Sequence, residues 1–335
     1  MARVFTRLLV WALLLFAVAL GAAAWWLHHP IRLNLPAGSV VLDLEIEPGT
    51  RATQVAEAVA GSGADVNVTL LQLWFRVSGQ SRQIKAGSYE ITPGTTPRSL
   101  LAMVVSGDQA LKSIVLVEGW SFGQIRAALQ KAELLASESK GLEPEIIMEK
   151  LGLPGIHPEG RFFPDTYSYA KGSSDLALLK RAAKAMDKRL DAAWALRTLD
   201  TPLKSRDEAL ILASIVEKET GKPIDRAQIA GVFTNRLRLN MRLQTDPSVI
   251  YGLGSAFDGN LRKRDLLEDS PYNTYTRAGL PPTPIAMPGR AALLAAVQPA
   301  PTKALYFVSR GDGTSQFSDN LDDHNRAVNK YIRGR

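Results

Sequence analysis

Residues 8–27, LLVWALLLFAVALGAAAWWL, contain no charged side chain across twenty consecutive positions. As a helix rising about 1.5 Å per residue, such a run spans about 30 Å, the thickness of a bilayer's hydrocarbon core. Arg3 and Arg7 precede it, and no Lys or Arg follows before Arg32. Positive charge on that side holds an N-terminus in the cytoplasm and sends residues 31–335 outside. The competing reading is a cleaved signal peptide, because Ala22-Ala23-Ala24 is a small-residue stretch. The run is longer than the roughly 7–15 apolar residues of such peptides, and Trp25-Trp26 suits an interfacial belt. The expectation is a single-pass anchor in the cytoplasmic (inner) membrane, with the bulk of the chain in the periplasm.

Cysteine is absent. Disulfides, Cys-zinc sites, iron–sulfur clusters and thiol nucleophiles are therefore excluded, and an oxidising exterior is harmless. Histidine occurs only at 28, 29, 157 and 324, so a histidine metal site is not expected, and no metal or cofactor is assigned. The formal charge is +7, of which residues 1–30 supply +2. That mild basic balance suits an anionic membrane or polymer and does not argue for nucleic acid.

Beyond the anchor the pattern predicts an α+β chain. Three segments, Val41–Gly63, Gly87–Asp108 and Lys112–Ala132, each switch from alternating residues to helical spacing after a glycine turn. Thr96-Pro97 reads as N-cap and N1, and Ser121 with Gln124 as a capping box. Val68–Val77 is a further short helix. Strand–helix–helix–strand over roughly 40–107 resembles LysM, the small sugar-binding module of cell-wall proteins. A plain α+β spacer fits the same pattern. From Glu143 the chain reads as mostly helical, with a long helix over Asp175–Leu199, a hairpin turning at Gly311–Thr314 and a closing helix from about Asp322. The expected domains are 1–30 (cytoplasmic tip and transmembrane helix), 31–110 (LysM-like, membrane-proximal) and 111–335 (catalytic).

The chain has no HExxH, GxSxG, Walker A loop or dinucleotide fingerprint. What remains is carboxylate chemistry. In SRDEALILASIVEKETGKP, Ser205 and Glu208 read as a capping box, Gly221 as the residue after the helix, and Pro223 as its stop. Ala209 to Val216 is apolar except for Ser214, so this helix is buried on most sides. Glu217 and Glu219 follow, and residues two apart do not share a helix face. Glu219 lies over Leu212, Ile215 and Val216; Glu217 lies over Leu210, Ala213 and Ser214. A carboxyl in apolar surroundings has its pKa raised, as a general acid on a glycosidic oxygen requires. The plainer alternative makes both glutamates the solvated end of a core helix, paired with Lys218 or Lys222.

Asp225–Leu239 reads as a second capped helix, and Asp246-Pro247 as the cap and first residue of a third. SPYNTYTR and GLPPTPIAMP then supply aromatic faces, amides, hydroxyls and a stiff extended wall. Sugar rings bind by stacking on aromatics with hydrogen bonds at the rim.

ILASIVEKETG, VFTNRLRLNMRLQTDPSVIYGLG, SPYNTYTRAGLPPTPIAMPG and ALYFVSRGDGTSQFSDNLDDHN, in this order, closely resemble the endolytic murein transglycosylase family (MltG, YceG-like). EGWSFGQI and HPEGRFFPDTYSY resemble that family's earlier motifs, so the likeness covers about 40–333. It implies internal cleavage of peptidoglycan glycan strands between MurNAc and GlcNAc, leaving a 1,6-anhydroMurNAc end, with Glu219 as the essential glutamate. Glu217, Arg236, Gln244, Asp246, Tyr272, Asn273, Tyr275 and Asn320 are the expected substrate contacts, and peptidoglycan synthases are candidate partners. The rivals are a hydrolytic muramidase, for which Asp246 is the candidate second carboxylate, and a non-catalytic peptidoglycan-binding scaffold.

Overall fold

The computed structural model describes residues 2–35, 40–109, 111–219 and 222–334. It divides into two compact units, Met1–Lys112 and Ser113–Arg335.

The first unit opens with helix α1 (Ala2–His28). Within it Leu9–His28 is long and apolar enough to cross a membrane, with a mean hydropathy of 2.1 and none of it buried. Strands β1 (Arg32–Leu33) and β2 (Leu42–Ile46) lead to α2 (Ala52–Gly61), β3 (Ala64–Asp65), α3 (Val68–Val77), β4 (Gly87–Ile91) and α4 (Pro97–Ser106). β2 pairs antiparallel with β4, Leu42 opposite Ile91 and Leu44 opposite Tyr89, and β1 pairs antiparallel with β3. Alternation along β2 turns Leu42, Leu44 and Ile46 inward. They meet Val55 and Val59 of α2, Leu71 and Phe75 of α3, and Leu100 and Val104 of α4 in one core. Trp26 packs against this core near the C-terminal end of α1. The helix starts carry caps: Asn67 accepts from Leu70 N–H, and Thr96 and Ser99 cap each other.

The second unit begins within β5 (Leu111–Val115), followed by α5 (Phe122–Lys131), α6 (Pro144–Lys150), β6 (Thr166–Ala170) and α7 (Asp175–Ala195). β5 pairs with β6, and the helices around them share a core of Leu116, Ile125, Ile147 and Leu179. Then come α8 (Arg206–Glu219), α9 (Pro223–Arg238), α10 (Asp246–Leu253), α11 (Lys263–Leu267) and α12 (Arg290–Val297). β7 (Tyr306–Ser309) pairs antiparallel with β8 (Ser315–Ser318), and α13 (Leu321–Tyr331) closes the unit.

α8 is the centre of this unit. Every residue from Ala209 to Val216 is buried, with α7, α9, α10 and α12 packed around it. The one hydroxyl in that run is fully satisfied. Ser214 Oγ donates to Ile211 O at 2.7 Å and accepts from Ile285 N–H at 3.0 Å, so it pins the proline-rich wall to α8. A close approach also fixes that wall at Gly160. Its φ is +78°, and a Cβ there would stand 2.6 Å from Pro284.

Three local expectations change. The long helix ends at Ala195 rather than Leu199. Pro223 does not merely stop α8; it is placed in the first turn of α9, where a missing N–H costs nothing. Ser205 Oγ accepts from Glu208 N–H, but the Glu208 carboxylate accepts from Lys204 N–H instead of Ser205, so the capping is not reciprocal. Gly221 lies outside the described residues.

Candidate active site

Glu219 is the last residue of α8. The helix core behind it is dry, so its carboxyl is packed in on most sides although the residue keeps partial exposure. Burial pushes its pKa up to about 7; the Thr245 hydroxyl lowers it, Asp246 raises it and Arg236 lowers it.

The segment between α9 and α10 brings those neighbours. Thr245 Oγ1 donates a short hydrogen bond to Glu219 Oε1. The sequence reading made Asp246 the N-cap of α10; the cap position is Thr245, whose side chain makes no capping bond because it serves Glu219. Its backbone is held separately. Thr245 N–H donates to Thr274 Oγ1 at 3.0 Å, and Ser248 Oγ donates to Thr245 O at 2.9 Å. Gln244 takes up a left-handed backbone, φ +53°, and its N–H donates to Thr274 O at 3.1 Å.

A cleft of about 410 Å³ opens at Glu219, lined also by Arg236, Leu243, Gln244, Asp246, Tyr275, Tyr306, Phe307, Leu321 and His324. Volume does not single it out. Another hollow of about 480 Å³ lies beside Asp200 and Arg238, whose charges pair with each other. A carboxyl whose pKa burial raises to about 7 distinguishes the cleft at Glu219.

Four of the expected contact residues meet there. Tyr275 Oη donates to Asp246 Oδ1 at 2.5 Å. Arg236 lines the cleft but its donors are engaged within the protein: Nε on Leu305 O at 2.7 Å, and Nη1 on Leu243 O at 2.8 Å and on the Gln244 side-chain Oε1 at 3.3 Å. It ties α9 to β7 and supplies positive charge beside Glu219.

The other expected contacts are placed elsewhere. Glu217 faces away from the cleft lining: its Oε2 accepts from Gly289 N–H at 2.8 Å, and Arg226 stands 3.8 Å from Oε1. Helix spacing separated the two glutamates correctly, but with helices on all sides both faces are enclosed; burial raises the Glu217 pKa too, against the Gly289 hydrogen bond. Asn273 is 1% exposed, and its amide donates to the carbonyls of Asp265, Leu266 and Glu268. It organises its own loop. Tyr272 is turned onto Tyr251, edge to face at 5.0 Å, with its hydroxyl on Thr283 at 2.8 Å. Asn320 caps α13 through Asp323 N–H at 2.9 Å, one residue before Leu321 of the cleft.

Sequence reasoning missed Thr245, Tyr306 and His324, although each lies inside a quoted motif. A hydroxyl before Asp-Pro looks like a helix cap, and Tyr306 and His324 are too far from Glu219 in the chain for spacing to connect them. It also missed Glu159. That carboxylate is 3% exposed, accepts from Phe122 N–H at 3.0 Å and Tyr251 Oη at 3.2 Å, and burial pushes its pKa up to about 7. Held by those partners, it is buried rather than set on the cleft of Glu219. No cluster of metal-ligating side chains exists among the described residues.

Glu219, its pKa raised by burial, thus stands in a polar cleft with aromatic rings on its lining. The chain belongs to the YceG-like family, whose model matches residues 44–330. It is 31% identical over 323 residues to the endolytic murein transglycosylase of Bacillus subtilis strain 168, covering 90% of this chain and 85% of that one. It is 28% identical over 287 residues to the endolytic murein transglycosylase of Streptococcus pneumoniae D39, covering 75% of this chain and 51% of the relative. The crystal structure of a yceG-like protein of Listeria monocytogenes superposes with a TM-score of 0.54 at 28% identity, over 86% of this chain and 98% of that one.

Proposed function

We propose that this chain is an endolytic peptidoglycan lytic transglycosylase in which Glu219 is the catalytic acid and base. The family and the relatives' activity supply the reaction. The observation that carries the residue assignment is a Glu219 pKa near 7 in an open cleft, so the carboxyl is substantially protonated at neutral pH.

Glu219 gives its proton to the GlcNAc O4 as the C1–O4 bond of MurNAc breaks. The resulting carboxylate takes the proton of the MurNAc 6-hydroxyl as O6 bonds to C1. The proton inventory closes on one residue, no water is consumed, and the product is a 1,6-anhydro end. The nucleophile is part of the substrate, so it begins near its target. Thr245 orients the carboxyl and stabilises it once ionised. Gln244, Tyr275 and Asp246 form the rim of the sugar site, and Arg236 balances the charge that Glu219 acquires.

In this reading α1 spans the cytoplasmic membrane with its N-terminus inside and residues 31–335 in the periplasm; Arg3 and Arg7 support that orientation. The three domains are the anchor, a LysM-like module over about 31–110 and the catalytic remainder. The order β2–α2–α3–β4 with β2 antiparallel to β4 supports the LysM-like reading. Peptidoglycan synthases that extrude nascent strands beside the membrane are the natural partners.

Digestion of uncrosslinked glycan strands by wild type and Glu219→Gln, read by mass spectrometry, tests the assignment. Anhydro ends from wild type and none from the variant are expected. Reducing MurNAc ends as sole product would identify a muramidase using Asp246 as the base. Strand binding without cleavage by wild type would identify a scaffold.

A further inference from the structure

His324 stands in the first turn of α13 and lines the same cleft as Glu219. Its ring stacks on Tyr306 with centroids 5.1 Å apart and planes 23° apart. Tyr306 in turn lies under the Arg236 guanidinium, whose Cζ is 5.1 Å from the ring centroid. The stack fixes the imidazole on the far wall.

The two ring nitrogens differ. Nδ1 is buried with no hydrogen-bond partner among the described residues, and Nε2 is not among such atoms. A buried N–H without an acceptor costs more than a buried lone pair without a donor, because a lone pair leaves no proton stranded. We infer that the proton resides on Nε2, the nitrogen not so enclosed, on a ring that lines the cleft. Burial first and the Arg236 charge second lower the His324 pKa, which favours the neutral ring. The wall thus offers an uncharged N–H donor held by a stacked ring. Tyr275 is committed to Asp246 and Thr245 to Glu219, while the Gln244 amide, whose Oε1 accepts from Arg236, is a second uncharged group on the lining.

A neutral donor of this kind suits an acceptor that is itself neutral and only accepts. A carboxylate would call for a cation, and a hydroxyl would pair with either tautomer. The group of that description on an N-acetylated sugar polymer is the amide carbonyl. We propose that His324 is a specificity residue whose Nε2–H donates to the acetamido carbonyl oxygen of the sugar bound beside Glu219, a role that rests on the reading of this cleft as the catalytic one.

The test compares kcat and KM of wild type, His324→Phe and His324→Gln on uncrosslinked strands and on the same strands chemically N-deacetylated. Phe keeps a stacking ring without the donor; Gln brings an amide N–H close to the Nε2 position. On acetylated strands His324→Phe should lose about tenfold in kcat/KM, mainly through KM, the size of one hydrogen bond between neutral groups, while His324→Gln stays within about threefold of wild type. Deacetylation should cost wild type the same factor and cost His324→Phe nothing more. Wild-type kinetics for His324→Phe, a His324→Gln as weak as His324→Phe, or an equal deacetylation penalty in both proteins would each overturn the proposal. Glu219→Gln assayed in parallel separates the two claims: residual cleavage there means the cleft is misassigned, whereas an inactive Glu219→Gln beside a normal His324→Phe removes His324 alone.

Discussion

Thr245→Val isolates the interaction that sets the Glu219 proton. The replacement is close to isosteric and removes one hydroxyl, which donates to Glu219 Oε1. The backbone bonds of Thr245 to Thr274 and Ser248 do not depend on it, and the residue is 1% exposed, so packing is retained. A hydroxyl facing a carboxylate stabilises the ionised form, so its loss raises the Glu219 pKa. Hydrogen bonds to charged groups contribute about 1.5–3 kcal/mol, and about 1.4 kcal/mol corresponds to one pH unit. In the proposed reaction protonated Glu219 is needed for the first step, so activity should fall as pH rises through its pKa, about 7 in wild type. In Thr245→Val the alkaline limb should move up to about pH 8 or beyond. The maximal rate should fall about tenfold, because the carboxyl loses its orienting partner and its stabilised anion. Thr245→Ser, which keeps the hydroxyl, should keep the wild-type limb. The assay is the initial rate of anhydro-end formation between pH 5 and 9 (about the span needed to see both limbs). A limb that stays put or moves downward in a folded Thr245→Val would falsify the link between this hydroxyl and the acid.

Asp246→Asn removes a negative charge that raises the Glu219 pKa; the alkaline limb should shift to lower pH while anhydro ends are still formed, and pH–rate profiles read both. Glu219→Gln should stabilise the fold at high pH. The folded pKa of about 7 lies above an unfolded value of about 4.5, so ionisation penalises the native state increasingly between those values. Denaturant titration should show the variant gaining on the order of 3 kcal/mol at pH 8 and nothing at pH 4; a constant difference across pH would contradict the burial argument. Gly160→Ala places a Cβ against Pro284 at a left-handed φ, and should cost about 2–4 kcal/mol in the same experiment; an unchanged midpoint would show that the wall yields.

Local order was largely legible. Alternation and turn glycines located β2, β4 and β5 with the helices that follow them, because each carries its own period and cap. Helical spacing also distinguished Glu219 from Glu217. What the sequence could not show was how many helices surround α8, and therefore that Glu217 is enclosed and committed to Gly289. Tyr272 and Asn273 have the chemistry of sugar contacts, but residue type does not reveal direction: one packs on Tyr251, the other on three carbonyls. Thr245, Tyr306 and His324 reach Glu219 through tertiary packing, a relation that no spacing along the chain encodes.

The cleft is assembled from both ends of a long stretch of chain, and this gives its completion a time. Glu219 is synthesised roughly a hundred residues before His324; at about 5–20 residues per second the interval is on the order of 5–20 s. During it α9 exists without β7, and Phe233, which meets Phe307 edge-on at 5.9 Å, has no ring to cover it. A nascent chain at that stage carries its acid but no opposite wall, together with a sticky apolar face.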